Sequence, residues 1–336
     1  MRFFLMNTLP APTQTALVTG ITSQAGAYMA KRLLAEGHAV HGIVRPGTQN
    51  LWRLEALGIA DRVQLTEMDL EAVAVEALAI AKDTYAALQE HQTPRSAFYR
   101  LIASLKPDEI YHLFTTRSAG DSQKNPAAGA ITDVIVFDEM MEAIADHTPT
   151  TKVLQASTSE MYGTLEGAFD EDSPTDANTP YAGAKSLIQW AIRTRYRPAG
   201  RDVRCAIMAN HESPIRGERL VTRHIAIGMA AWKTGLTETP IPIGSWHSRR
   251  DWGYAPDYID GMLRLMRHPE PTDCVFATGM SHSVKDFFEA AAKAADIPLH
   301  WETKEDGSMH AHIEDANGPI IGASSSAHAR AVDPRD

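Results

Sequence analysis

The feature that most constrains this sequence is an apolar run, a glycine-bearing loop and a helix-forming segment in immediate succession. Thr15–Thr19 has the composition of a short buried strand, and residues 27–36 have helical character. This order is the context of a dinucleotide-binding turn. There Gly20 permits a tight turn, Gly26 permits close helix–strand packing, and the first N–H groups of the helix can hold a pyrophosphate; a plain βα turn is the alternative. The predicted cofactor-binding loop is Gly20, Ile21, Thr22, Ser23, Gln24, Ala25 and Gly26.

The ends of the next two predicted strands indicate which nucleotide such a loop would hold. The second strand, residues 39–44, ends in Arg45 and not in an acidic residue. A carboxylate there would bind a ribose 2′-hydroxyl, whereas an arginine accommodates a 2′-phosphate, so NADP is favoured over NAD. A solvated surface arginine is the alternative. The third strand, residues 63–68, ends in Asp69 and Leu70, which are suitably placed to contact an adenine.

Strands and helices continue to alternate, which predicts an α/β fold with a Rossmann-like, doubly wound parallel sheet. The fourth, fifth and sixth strands are expected at residues 109–114, 152–156 and 203–208, with a helix at 133–145. Residues 71–105 are helical in composition and long for one crossover, so two helices or a helical insertion are expected. Side chains at the exit of the fourth strand should face the cofactor, namely Leu113, Thr115 and Arg117.

A tyrosine and a lysine four residues apart, Tyr181 and Lys185, share one face of a predicted helix. The ammonium can lower the pKa of the phenol by favouring the phenolate. A free tyrosine has a pKa near ~10, so its use as a base at neutral pH needs a shift of roughly three units. A preceding polar run delivers Thr158 as a hydrogen-bond donor and Glu160 as a second acid or base. These four residues are the predicted catalytic group; an ordinary Tyr–Lys pair at a helix start is the alternative.

The second half of the sequence has shorter and more mixed elements. Helices are expected at residues 222–233, 256–267 and 283–295, and strands at residues 240–244 and 274–278. The predicted organisation is a loose leader (1–14), a dinucleotide-binding domain (15–209) to which later segments can return, a smaller mixed α/β substrate-binding lobe (210–310) and a flexible tail (311–336).

Composition excludes several classes of function. The chain has 336 residues, 44% of them hydrophobic and 22% charged, as in ordinary globular proteins. A net charge of −10 argues against a nucleic-acid partner bound through a basic face. Neither a signal-peptide core nor a membrane span is visible. Cys205 and Cys274 lack metal-type or disulfide spacing, so no metal site is predicted and a reducing cytoplasm is expected.

Longer motifs discriminate better than the tyrosine–lysine pair. They are Gln155-Ala-Ser-Thr-Ser-Glu-Met-Tyr-Gly163, Asn210-His-Glu-Ser-Pro-Ile-Arg-Gly217, Val221-Thr-Arg223, Arg250-Asp-Trp-Gly253 and Ala277-Thr-Gly279. On these motifs the chain resembles an extended short-chain dehydrogenase/reductase and, within that superfamily, the GDP-mannose 4,6-dehydratase family. The resemblance covers about residues 15–300.

The resemblance implies dehydration of GDP-mannose with NADP. Tyr181 would remove the proton of the sugar 4-hydroxyl while the cofactor takes hydride from C4. Glu160 would remove the C5 proton and help expel the C6 hydroxyl as water, after which hydride returns to C6. Thr158 would polarise the C4 oxygen, and Lys185 would hold the nicotinamide ribose.

The resemblance also implies further contacts. His211 and Arg216 would contact the dinucleotide, and arginine forks would suit the diphosphate of the substrate. A homodimer through the helix that carries Tyr181 and a neighbouring helix is expected, with a tetramer as the alternative. The predicted substrate-binding set is Ser159, Asn210, Arg223 and Arg250.

Several positions depart from the family's pattern and leave other functions open. Ser23 and Ala25 replace a usual glycine and acidic residue, and Phe114 at the fourth-strand exit can narrow the cofactor groove. Pro46-Gly47 replaces the start of a loop that reaches a neighbouring subunit, and the family's closing segment is not recognisable after residue 300. A sugar-nucleotide 4-epimerase or reductase and a non-catalytic dinucleotide-binding relative are the alternatives.

Overall fold

The chain forms two compact units. The computed structural model describes residues 13–86, 95–115, 126–163, 167–314 and 318–324. The first unit consists of residues 1–208 and 255–276, and the second of residues 209–254 and 277–336. The sequence analysis expected a boundary near residue 209. The structure places residues 255–276 back in the first unit.

Strands and helices alternate through most of the described residues. The strands are β1 (Thr15–Thr19), β2 (Ala39–Val44), β3 (Gln64–Glu67), β4 (Glu109–His112), β5 (Lys152–Thr158), β6 (Val203–Met208), β7 (Asn210–Glu212), β8 (Ile241–Ile243), β9 (Arg249–Tyr254), β10 (Asp273–Phe276), β11 (Ser281–Ser283), β12 (Leu299–Thr303), β13 (Met309–Ile313) and β14 (Ile320–Ser324). The α-helices are α1 (Gln24–Ala35), α2 (Trp52–Ala56), α3 (Leu70–Ala86), α4 (Ala97–Leu105), α5 (Pro126–His147), α6 (Pro180–Ala191), α7 (Val221–Lys233), α8 (Ala255–Arg267) and α9 (Val284–Ala294). A 3-10 turn covers Ser159–Tyr162, and a π-helical turn covers Ile192–Tyr196.

Within the described part of the first unit, seven strands form one parallel sheet in the order β10-β6-β5-β4-β1-β2-β3. β1 lies between β2 and β4, with Thr15 opposite Ala39 and Ala16 opposite Glu109. The chain winds from β1 to β3 on one side and from β4 to β6 on the other. Ligands of open α/β sheets bind at the carboxyl ends of the strands where the winding reverses. This topology confirms the predicted Rossmann-like doubly wound fold.

Apolar side chains on both faces explain why the central segments fold as buried parallel strands. Ala16, Leu17 and Val18 of β1 are at most 1% exposed, so the strand has no solvent face. Helices α4 and α6 pack on α5. Phe137 and Met140 of α5 are buried in the same hydrophobic cluster as Leu17.

The described residues of the second unit form two small sheets, β11-β9-β7 and β12-β13-β14-β8. Trp246 lies in the core of this unit, edge-on to Phe288 at 5.0 Å and to Trp301 at 4.9 Å between ring centroids. Strands β13 and β14 lie where the sequence analysis expected a flexible tail from residue 311. They are ordered because they pair with each other and bury Ala311 and Ile321 in this core.

Other boundaries differ locally from the prediction. β4 ends at His112, two residues early, and β10 pairs with β6 in the main sheet instead of belonging to the lobe. The predicted helical region at 71–105 contains α3 and α4, with residues 87–94 outside the description. Of the expected leader, only residues 13 and 14 are described. Among the helices of the described ranges, none has the length and apolarity that a bilayer crossing requires.

The start of β10 is held by a buried carboxylate. Asp273 is 3% exposed at its side chain and accepts from Arg193 Nε at 2.6 Å. It also accepts from Arg197 and from Gln189 Nε2, the latter at 3.2 Å. This one side chain therefore joins the edge strand of the sheet to the end of α6 and to the π-helical turn after it.

We predict that Asp273→Ala lowers the free energy of unfolding by about 3 kcal/mol, because it leaves two partly buried guanidinium groups without their carboxylate. The matched control is Asp172→Ala. Asp172 lies 3.9 Å from the same Arg193 but is 98% exposed. An exposed pair of this kind contributes less than about 1 kcal/mol. Urea denaturation of both variants measures the difference, and equal losses would contradict the prediction.

Candidate functional site

The turn after β1 is shaped for a close approach of α1. Gly20 has φ of 71°, in the left-handed region. A Cβ on Gly26 would lie 2.3 Å from the Gly20 carbonyl oxygen, so this position has room only for glycine. Ser23, which replaces the middle glycine, caps the helix by accepting from the Gly26 N–H at 3.0 Å. The turn therefore presents the start of a helix, where backbone N–H groups and the helix dipole favour an anion.

The exit of β4 lies against this turn. A Cβ on Gly20 would lie 3.1 Å from the Leu113 carbonyl oxygen, so the structure brings these two predicted cofactor residues together. The Thr19 hydroxyl accepts from the Phe114 N–H at 3.1 Å and lies 3.0 Å from His112 Nδ1. Burial lowers the pKa of His112 to about 3, so this imidazole is neutral. Phe114 packs against the hydrophobic core.

The other predicted nucleotide contacts lie after β2 and β3 and differ in exposure and hydrogen bonding. Arg45 is exposed directly after β2. Arg53, which the sequence analysis missed, donates from Nη1 to the Thr22 carbonyl oxygen in the glycine turn at 3.0 Å. Asp69 accepts from backbone N–H groups in the first turn of α3. Leu70 is 4% exposed and lies in the hydrophobic core.

A buried carboxylate that the sequence analysis also missed lies on α5. Asp133 is 3% exposed and accepts from the Thr115 hydroxyl at 2.8 Å. An acidic residue within an otherwise apolar helical pattern gave no signal that it would face the exit of β4. Arg117, the third residue predicted at that exit, lies outside the described residues.

Tyr181 and Lys185 lie in the first two turns of α6. Thr179 caps the helix by accepting a backbone N–H bond at 3.1 Å, and Pro180 occupies the first turn. Lys185 is 3% exposed, with its ammonium 5.9 Å from the centroid of the Tyr181 ring. The ammonium also donates to the Phe114 carbonyl oxygen at 3.4 Å. The predicted shared helix face is therefore present.

The other predicted catalytic residues, Thr158 and Glu160, lie at the end of β5 and in the turn that follows it. β5 is buried as far as Thr158, and the 3-10 turn that starts at Ser159 then leads the chain out of the sheet. The Thr158 hydroxyl accepts from the Glu160 N–H at 3.2 Å and caps this turn. Thr158 is also hydrogen-bonded to Tyr181, and the Glu160 carboxylate acts on the same phenol. The structure thus brings Thr158, Glu160, Tyr181 and Lys185 together.

The electrostatics of Tyr181 differ from the expectation. Burial raises its pKa most, followed by the carboxylates of Glu160 and Asp133, while the hydrogen bond with Thr158 lowers it. Burial lowers the pKa of Lys185, and the Asp133 carboxylate opposes this. The shift of the Tyr181 pKa is therefore opposite to the expected lowering, because burial and two carboxylates disfavour the phenolate. In these surroundings the phenol is protonated at neutral pH, and its use as a base needs added positive charge.

In the second unit, the region around β7 contains a partly buried ion pair. Glu212 lies 3.1 Å from Arg216 Nε and accepts from the Thr222 hydroxyl at 2.6 Å. Burial raises the pKa of Glu212 and lowers that of Arg216. His211 Nδ1 lies 3.3 Å from the Ala209 carbonyl oxygen, and burial, followed by the charge of Arg216, lowers its pKa to about 4. His211 is therefore a neutral group beside a fixed pair of charges.

Two cavities of the second unit share Glu212, Thr222 and Trp252 as lining residues. The larger, of about 670 Å³, is also lined by Arg223, whose Nε is buried without a hydrogen-bond partner in the described structure. An orphaned guanidinium N–H at a cavity suits an anionic ligand. The smaller cavity, of about 290 Å³, is lined by Asn210, Arg216 and Arg250 among others.

Arg250 and Asp251 are neighbours in β9. In the structure Asp251 accepts from the N–H groups of Thr278 and Gly279, at 2.9 and 2.8 Å. Arg250 donates to the Arg249 carbonyl oxygen at 2.7 Å. Of the predicted site residues, those in the second unit are Asn210, His211, Arg216, Arg223 and Arg250, and the described others lie in the first unit.

Comparisons with known proteins identify the same family as the sequence motifs. A sequence model of the family described as GDP-mannose 4,6 dehydratase matches residues 17–333. A GDP-mannose 4,6-dehydratase of Vibrio cholerae is 35% identical over 292 residues, which cover 85% of this chain and 73% of that protein. GDP-mannose 4,6 dehydratase 2 of Arabidopsis thaliana is 34% identical over 304 residues, covering 88% and 76% respectively.

Solved structures share the fold at lower identity. A UDP-glucose 4-epimerase from Thermotoga maritima with UDP-glucose superposes with a TM-score of 0.67 at 18% identity, covering 84% of this chain and 82% of that one. A dTDP-glucose 4,6-dehydratase from Streptomyces venezuelae, with NAD and TYD bound, gives a TM-score of 0.64 at 20% identity, covering 84% and 81%. Since the family model spans the described units and the motifs that form the site, the chain belongs to the GDP-mannose 4,6-dehydratase family.

Proposed function

We propose that this protein is a nucleotide-sugar 4,6-dehydratase that converts GDP-mannose to GDP-4-keto-6-deoxymannose. The observation that carries the proposal is the position of the Glu160 carboxylate directly after β5, where Thr158 is bonded to both the Glu160 N–H and Tyr181. A simple reductase needs the tyrosine–lysine pair alone, whereas elimination of water also needs a base for a carbon-bound proton. The relatives from Vibrio cholerae and Arabidopsis thaliana support GDP-mannose as the substrate.

Each of the four proposed catalytic residues has its own role in the dehydration. Tyr181 takes the proton of the sugar 4-hydroxyl, while Thr158 donates to the C4 oxygen. The resulting 4-ketone acidifies the C5–H bond; Glu160 takes that proton and returns it to the C6 hydroxyl, which leaves as water. When hydride reaches C6, C5 takes up a proton that exchanges with solvent, and the proton held by Tyr181 is released. A bound nicotinamide dinucleotide would supply reversible hydride transfer from C4 to C6, so there is no net oxidation. Lys185 holds the ribose and adds positive charge beside Tyr181.

We propose NADP as this dinucleotide. The glycine turn supports this proposal, because it presents the start of α1, where backbone N–H groups can bind a pyrophosphate. Arg45 follows β2, where a 2′-phosphate would be bound, and Arg53 contacts the glycine turn. Further proposed contacts are Ile21, Thr22, Ser23, Gln24, Ala25, Asp69, Leu70, Leu113, Thr115, Arg117, His211 and Arg216.

We propose that the second unit binds the substrate. Arg223 offers an unpartnered Nε at the larger cavity, and Asn210 and Arg250 line the smaller one. Guanidinium groups of this kind suit the oxygens of a diphosphate. Ser159, directly after β5 in the first unit, is the remaining proposed substrate contact.

We expect Glu160→Gln to reduce formation of the 4-keto-6-deoxy product by about 10²- to 10⁴-fold, the usual contribution of a general base. Purified protein is incubated with NADP⁺ and GDP-mannose in D₂O. The native protein should release product that carries deuterium at C5. The variant should still show transient absorbance of the reduced nicotinamide, because oxidation at C4 does not use Glu160.

The transient oxidation is an internal control for folding and cofactor binding. Product formation that survives Glu160→Gln would remove Glu160 from its assigned role. A C4 epimer or net cofactor reduction by the native protein would point to the 4-epimerase or reductase alternative. Cofactor binding without any turnover would point to a non-catalytic relative.

We expect Arg45→Ala to raise the dissociation constant for NADPH by about 10- to 100-fold, the loss of one charge-assisted hydrogen bond to phosphate. The constant for NADH should stay unchanged, because NADH has no 2′-phosphate. Fluorescence titration of both cofactors measures the ratio. Equal weakening for NADH and NADPH, or a native preference for NADH, would contradict the assignment of NADP.

We also propose a homodimer through α5 and α6. Ile131 on α5 and Leu187 and Trp190 on α6 are large apolar side chains that are 49%, 48% and 62% exposed in the single chain. Exposed apolar side chains on neighbouring helices indicate a partner surface.

We expect Trp190→Glu to convert the dimer to a monomer in sedimentation velocity, because it places a charge in this surface. The control Leu236→Glu, at a site 82% exposed in the second unit, should leave the dimer intact; a monomeric native chain would contradict the proposal.

A further inference from the structure

One face of the β12–β13 hairpin carries a set of imidazole and carboxylate groups. In the strand register His300 lies opposite His312, and Glu302 lies opposite His310. Residues two apart on a strand point to the same side, so these four side chains share one face. Trp301, between the two positions on β12, packs into the aromatic core on the other side.

Three of these residues are close enough to share one ion. The potential ligand atoms of Glu302, His310 and His312 lie within 4.8 Å of one another. His312 is 5% exposed, and the Glu302 side chain is 35% exposed. Two imidazole nitrogens and one carboxylate oxygen form a donor set that suits Zn²⁺ and related divalent ions.

The hydrogen bonds of His312 orient it as a metal ligand. Its Nδ1 lies 2.9 Å from the Gly318 carbonyl oxygen, and its Nε2 lies 3.0 Å from Glu302 Oε2. Both neighbours are acceptors, whereas a neutral imidazole donates only once. When Nδ1–H donates to the carbonyl oxygen, Nε2 turns a lone pair towards the carboxylate, and a cation between them satisfies both groups. The competing arrangement is a doubly protonated His312 that donates to both acceptors.

The surroundings are consistent with a cation. His310 adds an Nδ1 that is buried without a hydrogen-bond partner in the described structure. Lys304 already places its ammonium 2.6 Å from Glu302 Oε2, and its side chain is 41% exposed, so it has room to move away. The pairing of β13 with β14 is irregular between Ala311 and His312, and irregularities of this kind re-aim side chains.

We propose that Glu302, His310 and His312 bind one divalent transition-metal ion of the Zn²⁺ class and so tie β12 to β13. Three protein ligands leave a coordination position for water or another small ligand. The proposal uses only residues of the second unit and does not rest on the dehydratase function.

The test is a Zn²⁺ titration of the untagged full-length chain, stripped with a chelator, against a chromophoric Zn²⁺ indicator. We expect one ion per chain and a rise in thermal unfolding temperature that excess chelator reverses. His312→Ala and Glu302→Gln should each weaken Zn²⁺ binding by more than about tenfold. His300→Ala is the matched control, because it removes a histidine of the same face that lies outside the three-residue group. This variant should bind Zn²⁺ with the affinity of the native protein.

Circular dichroism of each variant before titration establishes that it is folded. Glu302→Gln is the milder variant, because it keeps the size of the side chain and one acceptor oxygen while it removes the negative charge. A native protein that binds no Zn²⁺ would overturn the proposal in favour of a protonated His312. Unchanged affinity in His312→Ala, or equal loss in His300→Ala, would overturn the assigned ligand set.

Discussion

The contact between α1 and the turn after β1 is the constraint on which the rest of the first unit depends. Gly26 lies where any Cβ would meet the Gly20 carbonyl oxygen at 2.3 Å, so the helix can begin at this point only with glycine there. The same turn abuts the Leu113 carbonyl oxygen at the exit of β4, and Thr19 ties β1 to Phe114. Lys185 in turn donates to the Phe114 carbonyl oxygen. One backbone approach therefore links the proposed phosphate loop to the proposed catalytic helix.

Much of the fold was predictable because the central strands are short apolar runs with turn signals between them. Ala16, Leu17 and Val18 are buried on both faces, and such a run reads as a parallel strand in sequence alone. Strands β12 and β13 were missed although Leu-His-Trp-Glu-Thr and Met-His-Ala-His-Ile alternate between apolar and polar residues. The period of two in these segments is the signal of a strand, and the tail predicted from residue 311 wrongly began inside β13.

The candidate site was predictable where one segment supplies the geometry. Thr158 and Glu160 share one strand end, and Tyr181 and Lys185 share one helix, so spacing alone places each pair. Asp133 comes from a different helix, and its approach depends on how α5 packs, which no local pattern encodes. The same holds in the second unit for the contact of Glu212 with Thr222, ten residues apart. Sequence motifs therefore identified the candidate catalytic residues but missed Asp133, which alters the pKa of two of them.

Asp133 shows why those residues matter. Its carboxylate raises the pKa of Tyr181, which opposes the phenolate, and it also raises the pKa of Lys185 against the effect of burial. A buried lysine without such a partner tends to lose its proton, and a neutral amine could neither hold a ribose hydroxyl electrostatically nor favour a phenolate. Asp133 thus favours the charged form of Lys185 and at the same time disfavours the phenolate of Tyr181. If Tyr181 acts as the proposed base, its raised pKa requires positive charge beyond Lys185, which the cationic nicotinamide ring of the proposed cofactor would supply.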